Sequence, residues 1–273
     1  MNRTLINFGF LHIQWYSFFV FLAMLTAIVV IKLESKKKKV DDDYLIDLIF
    51  YGIIFGILGA RVYYVLFNLD YYLSNLKEIF MIWNGGLAIH GGIIAALTYI
   101  YFYTKNKKKN LLLTLDIMSV GVIIAQAIGR WGNFFNQEAY GRIVTKAFLQ
   151  NMHLPKFIIE GMYISGSYRE PTFLYESIAS IIGFLTLMIL RKNKNLRTGQ
   201  LAGTYLVWYG IERAIVESFR SDSLMLGPLK IAQIVSIISI VVGIYLITKN
   251  IKTNHYYQTD SMDITRRKKC TKK

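Results

Sequence analysis

Cysteine and proline are scarce in this chain of 273 residues, which contains one cysteine and three prolines. The single cysteine, Cys270, can form neither an intrachain disulfide nor a cysteine-based metal site. It lies in a basic tail, far in sequence from every polar cluster, and we interpret it as inert. No Ser/Gly linker and no convincing internal repeat occur, so the sequence offers no obvious boundary between separate domains.

Several chemical motifs are also missing. No pair of carboxylates or histidines has the spacing of a metal-dependent phosphotransferase, and no Gly-x-Ser-x-Gly elbow of a serine hydrolase is found. We therefore expect no metal site. A cleavable signal peptide is not evident either, because the first apolar run lacks a strongly basic start and a small-residue cleavage site. We expect that run to remain as the first helix.

Long apolar runs are what the chain has in excess, since 54% of its residues are hydrophobic. Runs of about 18 or more apolar residues are typical of transmembrane helices. Seven runs can be placed, at about 16–31, 44–67, 85–103, 111–128, 172–190, 200–217 and 229–247. The pattern predicts an all-α, polytopic membrane protein in which residues 1–249 form a single integral membrane domain. We expect the charged tail, 250–273, to be disordered.

The formal charge of +15 would suggest nucleic acid in a soluble protein. Here lysine and arginine cluster after the first, third, fifth and seventh runs. By the positive-inside rule this predicts an external N-terminus and a cytoplasmic C-terminal tail. We interpret the lysine clusters as determinants of topology that also attract anionic lipid, and not as a nucleic-acid surface. The longest segment between runs, 130–171, then faces outward and is predicted to be a small extracytoplasmic head.

The stretch from Gly129 to Gly141, which reads GRWGNFFNQEAYG, follows directly on the fourth run. Guanidinium, amide and carboxylate groups are expensive near lipid and by default mark a functional site. The glycines allow a tight turn or a close approach to a ligand. This stretch is therefore the first candidate for the site.

Two further candidates lie near the predicted outer ends of helices. His90 is flanked by glycines in NGGLAIHGG. A lone membrane histidine is often a structural group, but an imidazole surrounded by glycines is also well suited to proton transfer. Tyr16 belongs equally well to an interfacial aromatic belt or to the site.

Polar residues of the sixth run recur at helical spacing. Tyr209, Arg213 and Glu217 follow at intervals of four residues, and Arg220 comes three later, so one helix face carries all four. A structural ion pair between Arg213 and Glu217 is the simpler alternative to a functional face. Four other residues in or next to the runs are expected to pack or to orient neighbours: Arg61, Asp116, Glu176 and Glu212.

Arg130 and Arg213 together suggest phosphate recognition, because guanidinium is planar, always charged and binds phosphate bidentately. Both are predicted at the outer leaflet level, where they could hold a phospholipid headgroup. A transporter or channel is a competing interpretation, since intramembrane Arg, Glu and His also mark ion paths. Against it, the polar groups gather toward one face, and no paired broken-helix pattern occurs. Another lipid-modifying enzyme, such as a phosphatidyl transferase, is a second alternative.

The chain resembles the prolipoprotein diacylglyceryl transferases of bacterial membranes from about Trp15 to Ile247. The strongest element is the signature from Gly129 to Gly141, whose many polar positions make it specific. Supporting elements are Trp15-Tyr16, His90-Gly91-Gly92, Pro171 to Glu176, Tyr209 to Arg213 with Glu217, and Phe219-Arg220. One departure is Glu170, where the family often has a histidine. A role for that histidine cannot be transferred.

The resemblance implies an enzyme that moves the diacylglyceryl group of phosphatidylglycerol to the lipobox cysteine of a prolipoprotein signal peptide. A thioether forms and glycerol phosphate leaves, without metal or cofactor. The implied location is the bacterial plasma membrane, with the site toward its extracytoplasmic face. The lipid bilayer, and no nucleic acid, is the remaining partner.

The corresponding mechanism is a hypothesis about named residues. His90 is the first choice for the base that activates the thiol, and Tyr209 is the second. Arg130 and Arg213 stabilise the departing phosphate, and Asn133 and Asn136 donate hydrogen bonds to it, such donors being worth about 3–4 kcal/mol each. The remaining assignments are Glu138 and Glu217 as orienting groups for the arginines, Gly141 as a backbone turn, and Tyr16 as a substrate contact.

Overall fold

The computed structural model describes residues 4–7, 12–193, 195–220, 225–226 and 229–249. The predicted disordered tail and Cys270 lie outside these residues. Ten α-helices are described: α1 Trp15–Lys37, α2 Asp42–Leu66, α3 Leu69–Ser74, α4 Ile89–Asn106, α5 Leu111–Asn136, α6 Lys146–Asn151, α7 Lys156–Gly161, α8 Thr172–Leu190, α9 Gln200–Phe219 and α10 Ile231–Thr248. Two 3₁₀ turns, Leu76–Phe80 and Ile82–Asn84, precede α4.

Short antiparallel strand pairs connect some of these helices. They are β1 Thr4–Asn7 with β2 His12–Gln14, β3 Tyr163–Ile164 with β4 Ser167–Tyr168, and β5 Met225–Leu226 with β6 Leu229–Lys230. In the first pair the register shifts between Thr4 and Ile6. The fold is otherwise helical, as the apolar runs predict.

Each of the seven apolar runs coincides largely with a long helix, namely α1, α2, α4, α5, α8, α9 or α10. Among the described residues, five of these helices are long and apolar enough to cross a membrane: α1, α2, α5, α8 and α10. The other two are less apolar because α9 carries Glu212, Arg213 and Glu217 and α4 has a polar C-terminal end. The prediction of an all-α membrane protein is therefore confirmed. The number of seven spans stays a prediction.

The described chain divides into two compact units. The first comprises the described residues up to Glu34 together with those from Leu115 to Lys249, and the second comprises Ser35–Thr114. The single membrane domain expected over residues 1–249 stays a prediction.

In the second unit, α2 and α4 pack closely along glycines. A side chain at Gly59 would lie 2.8 Å from the carbonyl oxygen of Gly91, so glycine permits the contact. Hydroxyl groups join the other end of the unit, where Tyr44 bonds Thr104 (2.9 Å) and Thr114 (3.1 Å). Buried hydroxyls need such partners because an unpaired polar group in an apolar environment is destabilising.

In the first unit, α9 starts on a carboxylate supplied by another helix. Asp116 of α5 accepts hydrogen bonds from the backbone N–H groups of Gly199 (2.6 Å) and Ala202 (2.8 Å). These are N-terminal groups of α9, which lack partners within the helix. Asp116 is thus an orienting group, as expected, because it fixes the start of α9 against α5.

Between α5 and α8 lies a small folded segment built from α6, α7 and the β3–β4 pair. Its apolar core joins side chains from these elements to two phenylalanines of the flanking helices: Phe134, Leu149, Ile158, Ile159, Met162, Ile164 and Phe173. Phe134 and Phe173 stack with ring centroids 4.6 Å apart. This core holds the end of α5 beside the start of α8, which is where the charged residues converge.

Candidate active site

Three helices of the first unit bring their charged side chains to one place. Arg130 lies in the last two turns of α5, Glu176 in the first two turns of α8 and Arg213 in the second half of α9. Oε1 of Glu176 is 3.1 Å from Nη2 of Arg130 and 2.9 Å from Nη1 of Arg213. One carboxylate oxygen therefore holds both of the arginines that the sequence singles out.

A second carboxylate extends this cluster along α9. Oε2 of Glu217 is 2.7 Å from Nη2 of Arg213 and 4.0 Å from Nε of Arg220. Lys230 donates from Nζ to the backbone oxygen of Glu217 at 2.7 Å. The predicted polar face is thus joined from Arg213 to Arg220, and the ion pair considered as its simpler explanation is part of the same network.

Burial differs sharply between the two signs of charge. The side chains of Glu176 and Glu217 are each 1% exposed, whereas those of Arg130 and Arg213 are 21% and 16% exposed. Arg130 forms its ion pair through Nη2 alone, and among the described residues its Nε and Nη1 have no protein acceptor. A guanidinium group carries five N–H donors, so Arg130 keeps donors for an anionic ligand.

The buried carboxylates also explain why the arginines stay in place. An ion taken out of water is strongly destabilising unless its partner stays close, and removing one partner of a buried pair costs about 3–5 kcal/mol. In addition, Glu176 Oε2 is buried and has no hydrogen-bond partner among the described residues. The pairing of Glu176 is therefore concentrated on its other oxygen, which both guanidinium groups contact.

Hydrogen bonds next to the cluster lock the helices together. Ser177 of α8 donates to the backbone oxygen of Ala127 in α5 at 2.9 Å. Trp208 of α9 donates to the backbone oxygen of Ala179 in α8, also at 2.9 Å. Ser180 bonds the carboxylate of Glu212 at 3.1 Å. Serine and carboxylate side chains within these apolar helices thus position the neighbouring helix, in agreement with the orienting role expected for Glu212.

The signature stretch begins inside a helix. The sequence places the end of the fourth run at Ile128, but α5 continues through Asn136. The chain then turns through two residues with left-handed backbone, Gln137 (φ 53°) and Ala139 (φ 56°). Non-glycine residues rarely adopt this conformation, and it clusters at functional sites.

Glu138 lies within that turn and binds the asparagines of the signature. Its Oε1 accepts from Nδ2 of Asn133 (2.9 Å), and its Oε2 accepts from Nδ2 of Asn136 (2.6 Å). We expected Glu138 to orient an arginine. In the structure both of its carboxylate oxygens instead accept hydrogen bonds from the asparagine amides. Each asparagine amide has a second N–H, so donation to a ligand stays a prediction for Asn133 and Asn136.

Gly141 serves close packing and not a turn. Its φ is not in the left-handed region, and its backbone N–H donates to the oxygen of Glu170 at 3.0 Å. A Cβ at this position would lie 2.8 Å from Cβ of Glu170 and 3.1 Å from Cγ2 of Thr172. The predicted backbone turn at Gly141 is therefore wrong, because the turn lies earlier, at Gln137 and Ala139.

Tyr16 and Tyr209 both lie in the first unit. Tyr16 is on the first turn of α1, and its Cδ2 would be 3.2 Å from a Cβ at Gly132, so this glycine lets α1 approach the signature helix. Tyr16 is also near enough to interact electrostatically with Arg130 and Glu138. Tyr209 lies one turn before Arg213 and stacks on Tyr205, with centroids 6.2 Å apart.

His90 belongs to the second unit, where it is the second residue of α4 and is partly buried. Its assignment as the base stays a prediction. Residue types and glycine spacing, and not its neighbours, carry that assignment.

The sequence-based interpretation undervalues one residue and misses another contact. Glu176 is the common partner of Arg130 and Arg213, whereas the sequence suggests only a packing or orienting role for it. The sequence feature that points to a larger role is a carboxylate at the fifth position of an apolar run. Glu170, at the position of the family's histidine, is buried and bonds Nε of Arg142 at 2.9 Å and the hydroxyl of Tyr175 at 3.3 Å. It acts in this structure as an anchor for Arg142.

Among the described residues, no group of three or more His, Cys, Asp or Glu side chains is arranged to hold a metal ion. The arrangement that is present is a cluster of guanidinium groups on buried carboxylates, where the end of α5 and the start of α8, two helices apolar enough to cross a membrane, meet the second half of α9. Fold and site together define an α-helical membrane protein that carries a cluster of partly exposed arginines on buried carboxylates.

Comparison with known proteins narrows this class. The family model for prolipoprotein diacylglyceryl transferase matches residues 3–249. A phosphatidylglycerol–prolipoprotein diacylglyceryl transferase from Listeria innocua is 42% identical over 271 residues, which is 98% of each chain. One of the same name from Streptococcus pneumoniae is 45% identical over 263 residues, which is 95% of this chain and 98% of the relative. The chain belongs to the prolipoprotein diacylglyceryl transferase family.

Proposed function

We propose that this enzyme transfers the diacylglyceryl group of phosphatidylglycerol to the lipobox cysteine of a prolipoprotein, and that Arg130 and Arg213 hold the phosphate during transfer. The names of its relatives support the two substrates. The observation that carries the assignment of residues is the shared contact of both guanidinium groups with Oε1 of Glu176. It keeps two cations close together and partly exposed, which suits a phosphodiester that presents two oxygens.

The reaction needs few protein groups. The cysteine sulfur of the acceptor attacks the carbon of the diacylglyceryl group that bears the phosphate. A C–S bond forms while the bond from this carbon to the phosphate oxygen breaks. The electron pair of the broken bond stays on glycerol phosphate, and the thiol proton passes to a base. Negative charge grows on the phosphate oxygens as the bond breaks, and preorganised guanidinium donors stabilise it by about 3–4 kcal/mol each.

Activation of the thiol requires a base, because a free cysteine titrates near pH 8.5 and the thiolate is the nucleophile. His90 is our first assignment, since an imidazole is suited to proton transfer near neutral pH. Tyr209 is the second, and the cation of Arg213 one turn away on α9 supports it. Substitution separates the two: if purified His90→Gln transfers at the wild-type rate across pH 6–8, His90 is not the base and Tyr209→Phe becomes the decisive variant.

The signature turn supplies a second set of donors in this proposal. Glu138 fixes the amides of Asn133 and Asn136 through their first N–H groups. Their remaining N–H groups then point to the glycerol phosphate oxygens. Glu217 positions Arg213, the role that the sequence suggests for it, and also contacts Arg220, whereas Glu138 acts through the asparagines.

Seven membrane spans complete the proposal. With the basic clusters on the cytoplasmic side, the N-terminus and the segment between α5 and α8 face outward, and the site lies toward the extracytoplasmic face. Exposed apolar side chains along α1, α2, α4 and α10, such as Phe21, Phe50, Leu97 and Ile237, support contact with lipid. Both substrates are lipid-embedded, so we expect a gap between helices that opens to the bilayer.

Incubation of the purified protein with phosphatidylglycerol and a lipobox peptide tests the function. The peptide should gain the mass of one diacylglyceryl group, and the gain should vanish when phosphatidylglycerol is omitted or when the peptide cysteine is replaced by serine. Phosphatidylglycerol turnover without peptide modification would instead indicate another lipid-modifying enzyme. Passage of labelled solute through proteoliposomes, without any peptide modification, would indicate a transporter.

A further inference from the structure

A buried arginine lies outside the cluster described above, in the other unit. Arg61 of α2 is 6% exposed, and its guanidinium group donates only to backbone oxygens in the contacts described here. Nε donates to Ile79 (2.9 Å), Nη1 to Gly85 (2.8 Å) and Gly86 (3.0 Å), and Nη2 to Glu78. The four acceptors all belong to the connection between α2 and α4.

These contacts fix the connection at both of its ends. Glu78 and Ile79 lie in the first 3₁₀ turn, whereas Gly85 and Gly86 come directly before α4. Both glycines have left-handed backbone, with φ of 87° and 71°. A Cβ on Gly86 would lie 2.5 Å from Nη1 of Arg61 and 2.8 Å from Cε1 of Tyr64, so a side chain there would displace the guanidinium group or the ring.

Hydrogen bonds, and not dense packing, hold this connection. A cavity of about 410 Å³ adjoins the guanidinium group and is lined by Tyr64, Asn68, Tyr71 and Met81, among others. Side chains that border such a space have few packing contacts on that side. The planar guanidinium fork is therefore the main restraint on the two glycines.

Two further contacts with α2 fix the start of α4. The backbone N–H of Ala88, the N-cap residue, donates to the oxygen of Ala60 at 3.0 Å, next to Arg61 in sequence. One turn later, Gly91 packs against Gly59 so closely that a Cβ would lie 2.5 Å from its oxygen. His90 lies between these two contacts, so α2 sets its position.

We infer that Arg61 is a positioning residue, which sets where α4 begins and thereby holds the His90 imidazole for proton transfer. The inference builds on the proposed role of His90 as the base. Lysine cannot replace Arg61 in this role, because its ammonium group is a single point and cannot reach four carbonyl groups arranged around three nitrogens.

Arg61→Lys tests the inference with two measurements on the full chain. The kcat for diacylglyceryl transfer should fall about 100-fold, as expected for a reacting group displaced by about 1 Å. The KM for phosphatidylglycerol should stay nearly unchanged, because ground-state binding is untouched. The rate at which diethyl pyrocarbonate modifies His90, followed by peptide mass, should change, while that of the exposed His153 should not.

A matched glycine pair protects the test against a simple folding defect. Gly86→Ala and Gly85→Ala both place a Cβ on backbone of positive φ, but a Cβ on Gly86 meets Arg61, whereas a Cβ on Gly85 meets nothing within 4 Å. Gly86→Ala should reproduce the effects of Arg61→Lys, and Gly85→Ala should give clearly smaller ones. Equal effects of the two substitutions would contradict a specific role for Arg61.

The two measurements separate this inference from the proposed function. Unchanged reactivity of His90 in Arg61→Lys overturns the inference, whatever the activity. Altered reactivity with undiminished kcat supports the positioning of His90 by Arg61 but overturns the assignment of His90 as the base. Altered reactivity with reduced kcat supports both.

Discussion

Two groups of arginines within the helices of this protein are held in opposite ways. Arg130 and Arg213 lie on carboxylates, whereas the described contacts of the Arg61 guanidinium group are with backbone oxygens and the ring of Tyr72. The first two are 21% and 16% exposed, and Arg61 is almost fully buried. Each group supplies acceptors to a guanidinium ion that has lost most of its contact with solvent, but only the first leaves the cation partly accessible.

The difference explains why one arrangement suits a ligand and the other a scaffold. A carboxylate binds one edge of the guanidinium group and leaves other N–H groups for an incoming anion, as at Arg130. Four carbonyl oxygens around Arg61 engage all three of its nitrogens. We therefore expect substitutions in the first group to act on phosphate stabilisation, and those in the second to act on backbone geometry.

Arg130→Ala should produce the largest effect. Loss of one preorganised donor to the departing phosphate reduces kcat about 10²–10³-fold. Steady-state transfer to a lipobox peptide measures it, with membrane insertion checked by extraction of the protein from the membrane fraction.

The matched control is Lys156→Ala, which also removes one cation but from an exposed pair with Glu160. Exposed pairs of this type contribute about 0–1 kcal/mol to stability, so both stability and transfer should be nearly unchanged. Equal loss of activity in the two variants would show that overall charge, and not the position of Arg130, governs transfer.

Glu176→Gln should have the next largest effect. It preserves size but removes the charge that Arg130 and Arg213 share, so both guanidinium groups lose their common anchor. We expect a stability loss of about 3 kcal/mol, as for a buried pair deprived of one partner, and reduced kcat. Thermal unfolding in detergent and transfer kinetics measure the two quantities.

Glu160→Gln provides the control for this change, because Glu160 is 62% exposed. No comparable side-chain substitution exists for Arg61, whose described hydrogen-bond acceptors belong to the backbone. If Glu176→Gln leaves both unfolding and transfer unaltered, the carboxylate is not the anchor that distinguishes the two groups.

The sequence predicts the first group of arginines better than the second for a physical reason. Helical periodicity places Arg213, Glu217 and Arg220 on one face, and the structure joins them. Polar residues in an apolar run can be recognised from the sequence as candidates for a site, because an unpaired polar group is unfavourable in lipid. Arg130 of α5 and Arg213 of α9 meet at Glu176 through a tertiary contact. Periodicity along a single helix cannot predict such a contact.

Backbone geometry was harder to predict. A glycine in a signature suggests a turn, yet Gly141 serves packing while Gln137 and Ala139 adopt the left-handed backbone. Residue type does not predict such backbone strain, because strained backbone persists only where many contacts of the surrounding structure hold it in place. The sequence predicts a packing or orienting role for Arg61 but not its contacts, because its carbonyl partners lie 17 to 25 residues away along the chain.

The smallest expected effect concerns the ring that accompanies Arg61. The Cζ atom of Arg61 lies 5.2 Å from the ring centroid of Tyr72. Among the described residues, this cation–π contact is the one interaction of the Arg61 guanidinium group with another side chain. Such contacts contribute about 0.5–2 kcal/mol, more when they are desolvated. Tyr72→Leu should therefore lower the free energy of unfolding, whereas Tyr72→Phe retains the ring and should be nearly neutral.

A double-mutant cycle removes the contribution of lost packing from this comparison. Tyr72→Leu and Arg61→Gln, alone and combined, should show a coupling free energy of about 1 kcal/mol in thermal or denaturant unfolding. Transfer by Tyr72→Leu should stay close to wild type, because the carbonyl contacts of Arg61 persist. Zero coupling would mean that the backbone oxygens alone stabilise the buried cation, which would sharpen the contrast with the carboxylate-held arginines.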